Sequence, residues 1–360
     1  MSTKTPFFIG LDDGYNTSIG YTERGETVLV PSRIRIGKND AGIKFEGVNT
    51  GKSTVVEHKP QVYQADDTFY TVNAAISTDT ISDDYPYSGA NRVMVHHVLN
   101  QINNINKEQP IHLCSGLPIL TYYKRSGELN MEAINKKQDN LKKSVKIITD
   151  GKAVESLQVA KNAVMPEGIA AVFDLGIEEI RKAENRNSAN PKCKRHDDVF
   201  GQHIAIVDCG GRTLDIAIWS AGNVERGNFK TENVGIEDIR RQVGDAIKDE
   251  YGLHELRDDQ IEKAINTGAL QLRKGHTVNV TDIRDEARKD VVTRIKTIIN
   301  NVIGSRGQMI DQIVFIGGGS KFLYEHGLSD MYEQQRLIGD PIAANARGFF
   351  KYLKYFANNG

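Results

Sequence analysis

The chain has 360 residues, with 46 lysines and arginines against 47 aspartates and glutamates, so its formal net charge is −1. This balance disfavours a broad basic face for direct DNA binding or for an anionic membrane surface. The length predicts two domains, each able to bury its own core. The three cysteines form no CxxC pair, and no apolar run reaches the roughly 18 residues of a membrane helix. We therefore expect a cytoplasmic globular protein that neither binds nucleic acid directly nor enters a membrane.

The first predicted element is a β-hairpin with acidic residues at its turn. An apolar run over residues 6–11 leads into Asp12 and Asp13, and a second β-type run follows the turn. The turn comprises Gly14, Tyr15, Asn16 and Thr17. An Asp-x-Gly sequence at a strand end is common, so this hairpin by itself is a weak indication of function.

The next stretch predicts a peripheral region followed by helices. Residues 26–84 contain short β-type pieces separated by Gly, Asn and Asp, which is typical of a turn-rich insertion. An apolar stripe predicts a helix over residues 93–105. A lysine-rich amphipathic helix is predicted over residues 128–143, with a solvated face and a packed underside.

A helix rich in small residues is predicted around Pro166 and Glu167. Proline is tolerated in a first helical turn, so we expect Glu167 at a helix N-terminus, where the helix dipole favours its charged form. The alternative is that this glutamate serves the helix alone. Residues 184–199 are polar and rich in helix breakers, and we place the boundary between the two domains there.

The second half of the chain opens on a similar hairpin over residues 204–219. Its acidic residues are Asp208 and Asp215, and its turn comprises Gly210, Gly211, Arg212 and Thr213. A glycine pair lets backbone N–H groups approach a bound anion, because no Cβ stands in the way. The aspartates suit Mg²⁺, which prefers carboxylate oxygen and water. An ordinary Gly-Gly hairpin is the alternative, but recurrence of the pattern in both halves predicts two related domains.

A glycine-rich turn follows a predicted strand over residues 312–316. It comprises Gly317, Gly318, Gly319 and Ser320. Bare glycine backbone allows a flat ligand to lie against it, and a plain loop is the alternative. The segment 340–350 again pairs a helix start with small residues, like the segment at Glu167.

Taken in order, these pieces resemble the actin-like ATPase superfamily, which includes actin, heat-shock chaperone ATPases and sugar kinases. The order is hairpin, small-residue helix, hairpin, glycine turn and small-residue helix. Within the superfamily, the chain is similar to the ParM/StbA group of plasmid-segregation actins. The features that carry this resemblance are Asp12-Asp13-Gly14, Val95-His96-His97-Val98-Leu99, Gly116-Leu117-Pro118 with Tyr122-Tyr123, Val164-Met165-Pro166-Glu167 and Gly317-Gly318-Gly319.

The resemblance implies an α/β actin-like ATPase fold, with two related ribonuclease H-like domains and ATP and Mg²⁺ in the cleft between them. Domain I would comprise residues 1–195 and about 340–360, and domain II residues 196–339. The resemblance further implies that copies of the chain polymerise into filaments that segregate plasmid DNA through a DNA-bound adaptor protein. Hydrolysis of ATP to ADP would then time filament disassembly.

The resemblance also implies roles for single residues. Asp12 and Asp208 match the aspartates that hold Mg²⁺, and Glu167 matches the residue that orients the attacking water, so Glu167 and Asp208 are the predicted catalytic residues. The residues that match the phosphate-binding set are Gly14, Tyr15, Asn16, Thr17, Gly210, Gly211, Arg212, Thr213 and Asp215. The residues that match the adenosine-binding set are Gly317, Gly318, Gly319 and Ser320.

One departure from the family pattern concerns the charge that faces the phosphates. A lysine usually ends the first phosphate loop, whereas this chain has Ser18 or Ile19 there. The phosphate charge must then be met elsewhere, and Arg212 is the candidate.

Three other functions remain as alternatives. A small-molecule kinase of the same fold would need a carboxylate base in the first domain, and no aspartate there stands out. A chaperone-type ATPase would need a peptide-binding domain beyond this length. A bacterial or phage actin-like filament with another role stays open.

Overall fold

The computed structural model describes residues 5–38, 60–73, 82–106, 108–181, 191–225 and 227–357. The inner part of the predicted 26–84 insertion and the start of the polar loop predicted from residue 184 lie outside the described residues. The strands are β1 Phe7–Asp13, β2 Thr17–Thr22, β3 Thr27–Pro31, β4 Ile34–Ile36, β5 Gln61–Ala65, β6 Thr68–Val72, β7 Ile111–Leu117, β8 Lys146–Thr149, β9 Lys152–Glu155, β10 Val159–Pro166, β11 Ile177–Ile180, β12 Lys192–Arg195, β13 His203–Cys209, β14 Leu214–Ser220, β15 Asn223–Val224, β16 Lys230–Glu232, β17 Ala269–Arg273, β18 His276–Asn279, β19 Gln312–Ile316 and β20 Gln335–Leu337. The helices are α1 Gly89–Gln101, α2 Ile119–Tyr122, α3 Met131–Lys142, α4 Ala170–Gly176, α5 Asp197–Gly201, α6 Ile236–Tyr251, α7 Asp258–Thr267, α8 Thr281–Ile303, α9 Gly317–Leu323 and α10 Ala344–Tyr355.

Two main sheets repeat one strand arrangement. In the first sheet, of order β10-β7-β1-β2-β3, the hairpin β1–β2 is antiparallel while β7 runs parallel to both β1 and β10. In the second sheet, the hairpin β13–β14 is antiparallel, and β19 runs parallel to both β13 and β20. The predicted internal duplication is therefore visible as two related α/β domains.

The central strands are apolar because both faces of each sheet are covered. In β1 the side chains of Phe7, Ile9 and Leu11 are fully buried, and in β13 the run from Ile204 to Val207 is fully buried. Because these strands are buried along their length, they are rigid, and the two acidic hairpin turns lie at their ends.

A smaller sheet of order β4-β6-β5-β8-β9 lies apart from the two main sheets. The predicted 26–84 insertion contributes β4, β5 and β6 to it, whereas β3 pairs with β2 in the first main sheet. Strands β8 and β9, which come much later in the chain, complete the small sheet. The domain boundaries assigned from the sequence stay a prediction.

Helices α4 and α10 pack together between the two halves of the molecule. One core cluster joins Ala170 and Val172 of α4 and Phe349 of α10 to Ile206 and Val314 of the second sheet. Helix α10 also lies against β1 and β7 of the first sheet. The two helices therefore connect the domains mechanically.

An ion cluster fixes α4 to α10. The Asp174 carboxylate, at the end of α4, accepts hydrogen bonds from Arg347 at 2.6 and 3.0 Å and from Lys351 Nζ at 2.6 Å. The Asp174 and Lys351 side chains are only 4% and 9% exposed. Buried charges of this kind are stable because each one is paired and hydrogen-bonded.

The longest helix, α8, has 23 residues and packs its apolar stripe on the core of the second domain. None of the helices in the described ranges combines the length and the apolar character needed to cross a membrane.

The ion cluster predicts a large loss of stability for Asp174→Ala. The variant leaves Arg347 and Lys351 without their shared carboxylate, which should lower the free energy of unfolding by about 3–5 kcal/mol. Chemical denaturation measures this loss. The matched control is Asp259→Ala, because Asp259 pairs with Arg257 on the surface and surface ion pairs contribute little. Equal stability of the two variants would contradict the buried role of Asp174.

Candidate functional site

The two acidic hairpins end at a common cleft between the domains. Asp12 is paired with Ile19 near the end of β1, and Asp208 is paired with Asp215 near the end of β13. The second turn is closed by a hydrogen bond from the Gly210 N–H to the Thr213 carbonyl, at 2.9 Å. Each aspartate therefore lies at the same position of its own domain.

Asn345 of α10 connects the two aspartates. Its Nδ2 lies 2.7 Å from Asp208 Oδ2 and 3.5 Å from Asp12 Oδ2. Its Oδ1 accepts a hydrogen bond from the Gly168 N–H at 3.0 Å. Sequence reasoning missed this residue, since the small-residue segment around it indicated a helix start and no polar role for the asparagine.

Glu167 reaches the same cleft from a different element than predicted. It lies in the turn between β10 and α4, so the prediction that Pro166 and Glu167 form a first helical turn is wrong. The Glu167 N–H donates to the Leu117 carbonyl at 2.9 Å, which continues the ladder between β10 and β7. Gly116 leaves room for the glutamate, because a Cβ there would lie 2.7 Å from Glu167 Cγ.

The clustered carboxylates raise one another's pKa values. Burial, followed by the charge of Asp13, raises the pKa of Asp12 to about 7. Burial, followed by the charges of Asp215 and Asp12, raises the pKa of Asp208 to about 8. The pKa of Glu167 lies well above its ordinary value, again chiefly through burial and then through Asp12 and Asp215. In the part of the chain that the structure describes, neither Asp12 nor Asp208 forms an ion pair.

In contrast, the negative charge of Asp13, the residue after Asp12, is balanced by a lysine. Lys137 Nζ lies 2.9 and 2.7 Å from the two carboxylate oxygens of Asp13, and the Asn91 amide also donates to Asp13. Lys137 belongs to the lysine-rich helix α3, which was predicted to have a packed underside and a solvated face. Its side chain is 2% exposed, so it is one of the residues on that underside. The pattern of the helix gave no indication that this lysine approaches the first hairpin.

Ser18 and Ile19, the positions compared with the first-loop lysine in the sequence, are both buried. Ser18 is fully buried and its hydroxyl is hydrogen-bonded to that of Ser32 at 3.0 Å, and Ile19 is 4% exposed. Arg212 is partly exposed and lowers the pKa of Tyr15, although burial raises that pKa overall to about 12. Arg212 forms no ion pair within the described ranges, so its charge is not committed to a protein carboxylate there.

The first turn makes contacts on both sides. The Tyr15 hydroxyl donates to the Ser82 carbonyl at 3.3 Å. Asn16 Nδ2 donates to Glu237 Oε1 at 3.3 Å, which links the first domain to α6 of the second. Thr17 is the first residue of β2. The Glu237 N–H donates to the Gly211 carbonyl at 2.7 Å, so the positive end of the 16-residue helix α6 lies at the second turn.

The triple glycine forms the start of α9 and not a loop. Gly317 has φ of +88°, and a Cβ there would lie 2.5 Å from Asp208 Oδ1, so glycine is required by both backbone and space. Gly318 is exposed, and nothing lies within 4 Å of the position of its missing Cβ. Gly319 is buried, and so is Ser320, whose hydroxyl has no partner among the described residues. The glycines thus adjoin the second aspartate because β19 is the parallel neighbour of β13.

The acidic residues fit a cation bound partly through water. Among the described residues, no group of three or more His, Cys, Asp and Glu side chains is arranged to hold a metal ion. Mg²⁺ commonly takes one or two carboxylates and completes its shell with water and substrate phosphates. Asp12 and Asp208, neither of which forms an ion pair in the described ranges, are compatible with this chemistry.

Two family models match the chain. Residues 11–177 match the model described as plasmid segregation protein ParM, N-terminal. Residues 206–328 match the model described as archaeal actin homologue MreB-like, C-terminal. Among curated proteins, no match was found.

Several solved structures share the fold. A 15-stranded ParM filament from Clostridium botulinum is 21% identical, with a TM-score of 0.73 over 98% of this chain and 100% of that chain. An archaeal actin homolog in complex with ADP is 16% identical, with a TM-score of 0.69 over 96% of this chain and 98% of that chain. The Alp12 filament is 16% identical, with a TM-score of 0.61 over the same shares. These similarities confirm the predicted actin-like fold with two domains.

The raised pKa values predict that the cation-free protein loses stability as pH rises from about 6.5 to about 8. In this window folded Asp12 and Asp208 still hold protons that the unfolded chain has released, so the free energy of unfolding falls with pH. Burial lowers the pKa of His96 to about 3, so this residue makes the free energy of unfolding rise with pH. That effect lies below about pH 6.5, outside the range considered for Asp12 and Asp208.

Denaturation at several pH values with a chelator present measures the slope. Asp208→Asn should show a shallower slope than the wild type, whereas the exposed Asp139→Asn should keep the wild-type slope. Identical slopes for all three proteins would contradict the titration of Asp208 in this range.

Proposed function

We propose that the chain is an actin-like ATPase, which binds and hydrolyses Mg-ATP between its two domains, polymerises into filaments and segregates plasmid DNA. The matches to two family models and the shared fold support this proposal. The observation that carries this proposal is the convergence of Asp12, Asp208 and Glu167 from three elements on one interdomain cleft. Within the described ranges none of these three carboxylates forms an ion pair, which favours an external cation.

The proposal assigns each part of the cleft a role toward the nucleotide. Asp12 and Asp208 hold Mg²⁺, largely through water, and a bound cation favours their ionised form. The N–H groups of the turns Gly14–Thr17 and Gly211–Thr213 face the phosphates, since the Gly210 N–H already bonds the Thr213 carbonyl, and the positive end of α6 supports the second turn. Arg212 is the candidate cation for the phosphates, since Lys137 is already paired with Asp13. The exposed backbone at Gly318, within Gly317–Ser320, is the proposed surface for adenosine.

Hydrolysis requires positioning more than covalent chemistry. The bound magnesium nucleotide supplies the phosphoryl group and most of the charge neutralisation for its transfer. Glu167 orients the attacking water, and burial raises the pKa of its carboxyl well above the ordinary value. Gly116 and the Leu117 carbonyl hold Glu167 in place from the neighbouring strand.

In this proposal the nucleotide in the cleft sets the relative position of the two domains, and that position sets the affinity between subunits of the filament. If the ATP and ADP states differ by about 1.4 kcal/mol per subunit contact, subunit affinity changes tenfold. Slow hydrolysis then acts as a timer for disassembly. A DNA-bound adaptor protein is the proposed link between filament and plasmid, because the net charge of −1 offers no broad basic surface.

Electron microscopy of the purified protein with ATP, with ADP and without nucleotide tests the proposal directly. Filaments that depend on ATP are expected, with a rise in light scattering on ATP addition. ATP turnover should be insensitive to a panel of sugars. Absence of filaments across salt and magnesium conditions, together with stimulation by a sugar, would replace this proposal with a small-molecule kinase.

Glu167→Gln is expected to separate binding from hydrolysis. The variant keeps the size of the side chain but removes the proton acceptor, so phosphate release should slow by about 10²–10⁴-fold. ATP binding and polymerisation should persist, and filaments should live longer. The matched control is Glu262→Gln, an exposed glutamate on α7. Rapid filament disassembly with normal phosphate release in Glu167→Gln would exclude the assigned role.

A further inference from the structure

We infer that Asn345 is a positioning residue, which holds the two cation-facing aspartates of opposite domains at a fixed spacing and anchors the turn that carries Glu167. The role of Asn345 in nucleotide binding rests on the proposed function, whereas its three contacts are independent of that function. One amide side chain touches Asp208, Asp12 and the Gly168 N–H, at 2.7, 3.5 and 3.0 Å.

The contacts fix the orientation of the amide. Gly168 offers an N–H, so it must face the Oδ1 acceptor of Asn345, and the Nδ2 group is then left to face the two carboxylates. Nδ2 carries two N–H donors, which matches two acceptors. Aspartate at this position would supply the acceptor without a donor, and alanine would supply neither. Asn345 is 6% exposed, so water replaces a lost contact poorly.

The helix that carries Asn345 is itself held on both sides. Arg347, two residues further along α10, binds Asp174 of α4, while Gly10 of β1 lies directly against the backbone of α10 at Ala346. The amide therefore projects from a rigid position into the cleft. Because Asp12 and Asp208 belong to different sheets, a rigid group that bonds both of them limits how far their carboxylates can separate.

The same amide extends its effect to the turn at Glu167. Gly168 directly follows Glu167, and its N–H is held by Asn345 Oδ1. The proposed metal-binding and water-orienting groups are thus linked through a single side chain. Asn345 itself does not need to touch the nucleotide to influence its affinity.

Two variants separate the functions of the amide. Asn345→Asp keeps the size and the acceptor for Gly168 but places a carboxylate against two others, whereas Asn345→Ala removes all three contacts. We expect the nucleotide-free protein to unfold at a lower temperature as Asn345→Asp than as Asn345→Ala at about pH 9, where Asp12 and Asp208 are ionised. A residue that serves packing alone would give the reverse order, because aspartate preserves the volume.

Nucleotide binding provides the second measurement. A fluorescent ATP analogue with saturating Mg²⁺ should bind Asn345→Ala about tenfold or more weakly than wild type. The matched control is Asn162→Ala, because Asn162 is also buried, at 4% exposure, but contacts Ser115 within the first sheet. The control should keep wild-type affinity even if its stability falls.

The outcomes distinguish this inference from the proposed function. Wild-type protein that fails to bind the analogue contradicts the proposed function, while the order of unfolding temperatures still tests the contacts of Asn345. If wild type binds and both Asn345 variants bind within twofold of it, the positioning role is wrong and the ATPase proposal stands. An Asn345→Asp protein as stable as wild type also overturns the inference. If Asn345→Asp does not fold, the uncharged Asn345→Ala variant carries the binding test.

Discussion

The structure depends on the confinement of negative charge in the cleft between its two domains. Burial raises the pKa values of Asp12, Asp208, Asp215 and Glu167, and neighbouring carboxylates raise those of Asp12, Asp208 and Glu167 further. Burying carboxylates so close together destabilises the fold by itself. Such costs are typical of functional sites, where the shifted pKa values are used. The Asn345 amide and the Thr231 hydroxyl reduce this cost by hydrogen bonds to Asp208 and Asp215, and the charge of Lys137 partly offsets the raised pKa values of Asp12 and Glu167. A neutral donor leaves the negative potential available to a cation.

Two other buried carboxylates are, in contrast, paired with cations. Asp174 is surrounded by Arg347 and Lys351, and Asp13 by Lys137 and Asn91. One cluster joins α4 to α10, and the other adjoins the first turn. The contrast between paired and unpaired carboxylates is what separates structural acidic residues from the candidate site.

Duplication explains why two distant hairpins meet. Each sheet places an antiparallel hairpin beside a parallel strand, so Asp12 and Asp208 occupy equivalent ends of β1 and β13. Helices α4 and α10 then bring these ends together, because one core cluster includes residues of both helices and of the second sheet. Contacts across the cleft, such as that of Asn16 with Glu237, make the relative position of the domains sensitive to what lies between the turns. Under the proposed function, that sensitivity would link the nucleotide state to the affinity between subunits.

The sequence by itself determined the features that depend on local chemistry. Alternating and continuous apolar runs predicted the strands, and the aspartates and glycines at their ends identified the turns at Asp12 and Asp208, because strand patterns and turn residues act over a few positions. Tertiary structure decided the remainder. The burial of Lys137 depends on which face of α3 meets the first hairpin, and the turn position of Glu167 depends on strand pairing between β10 and β7. Asn345 has no local signal, since its role arises from three partners far apart in the chain that only the packing of α10 brings together.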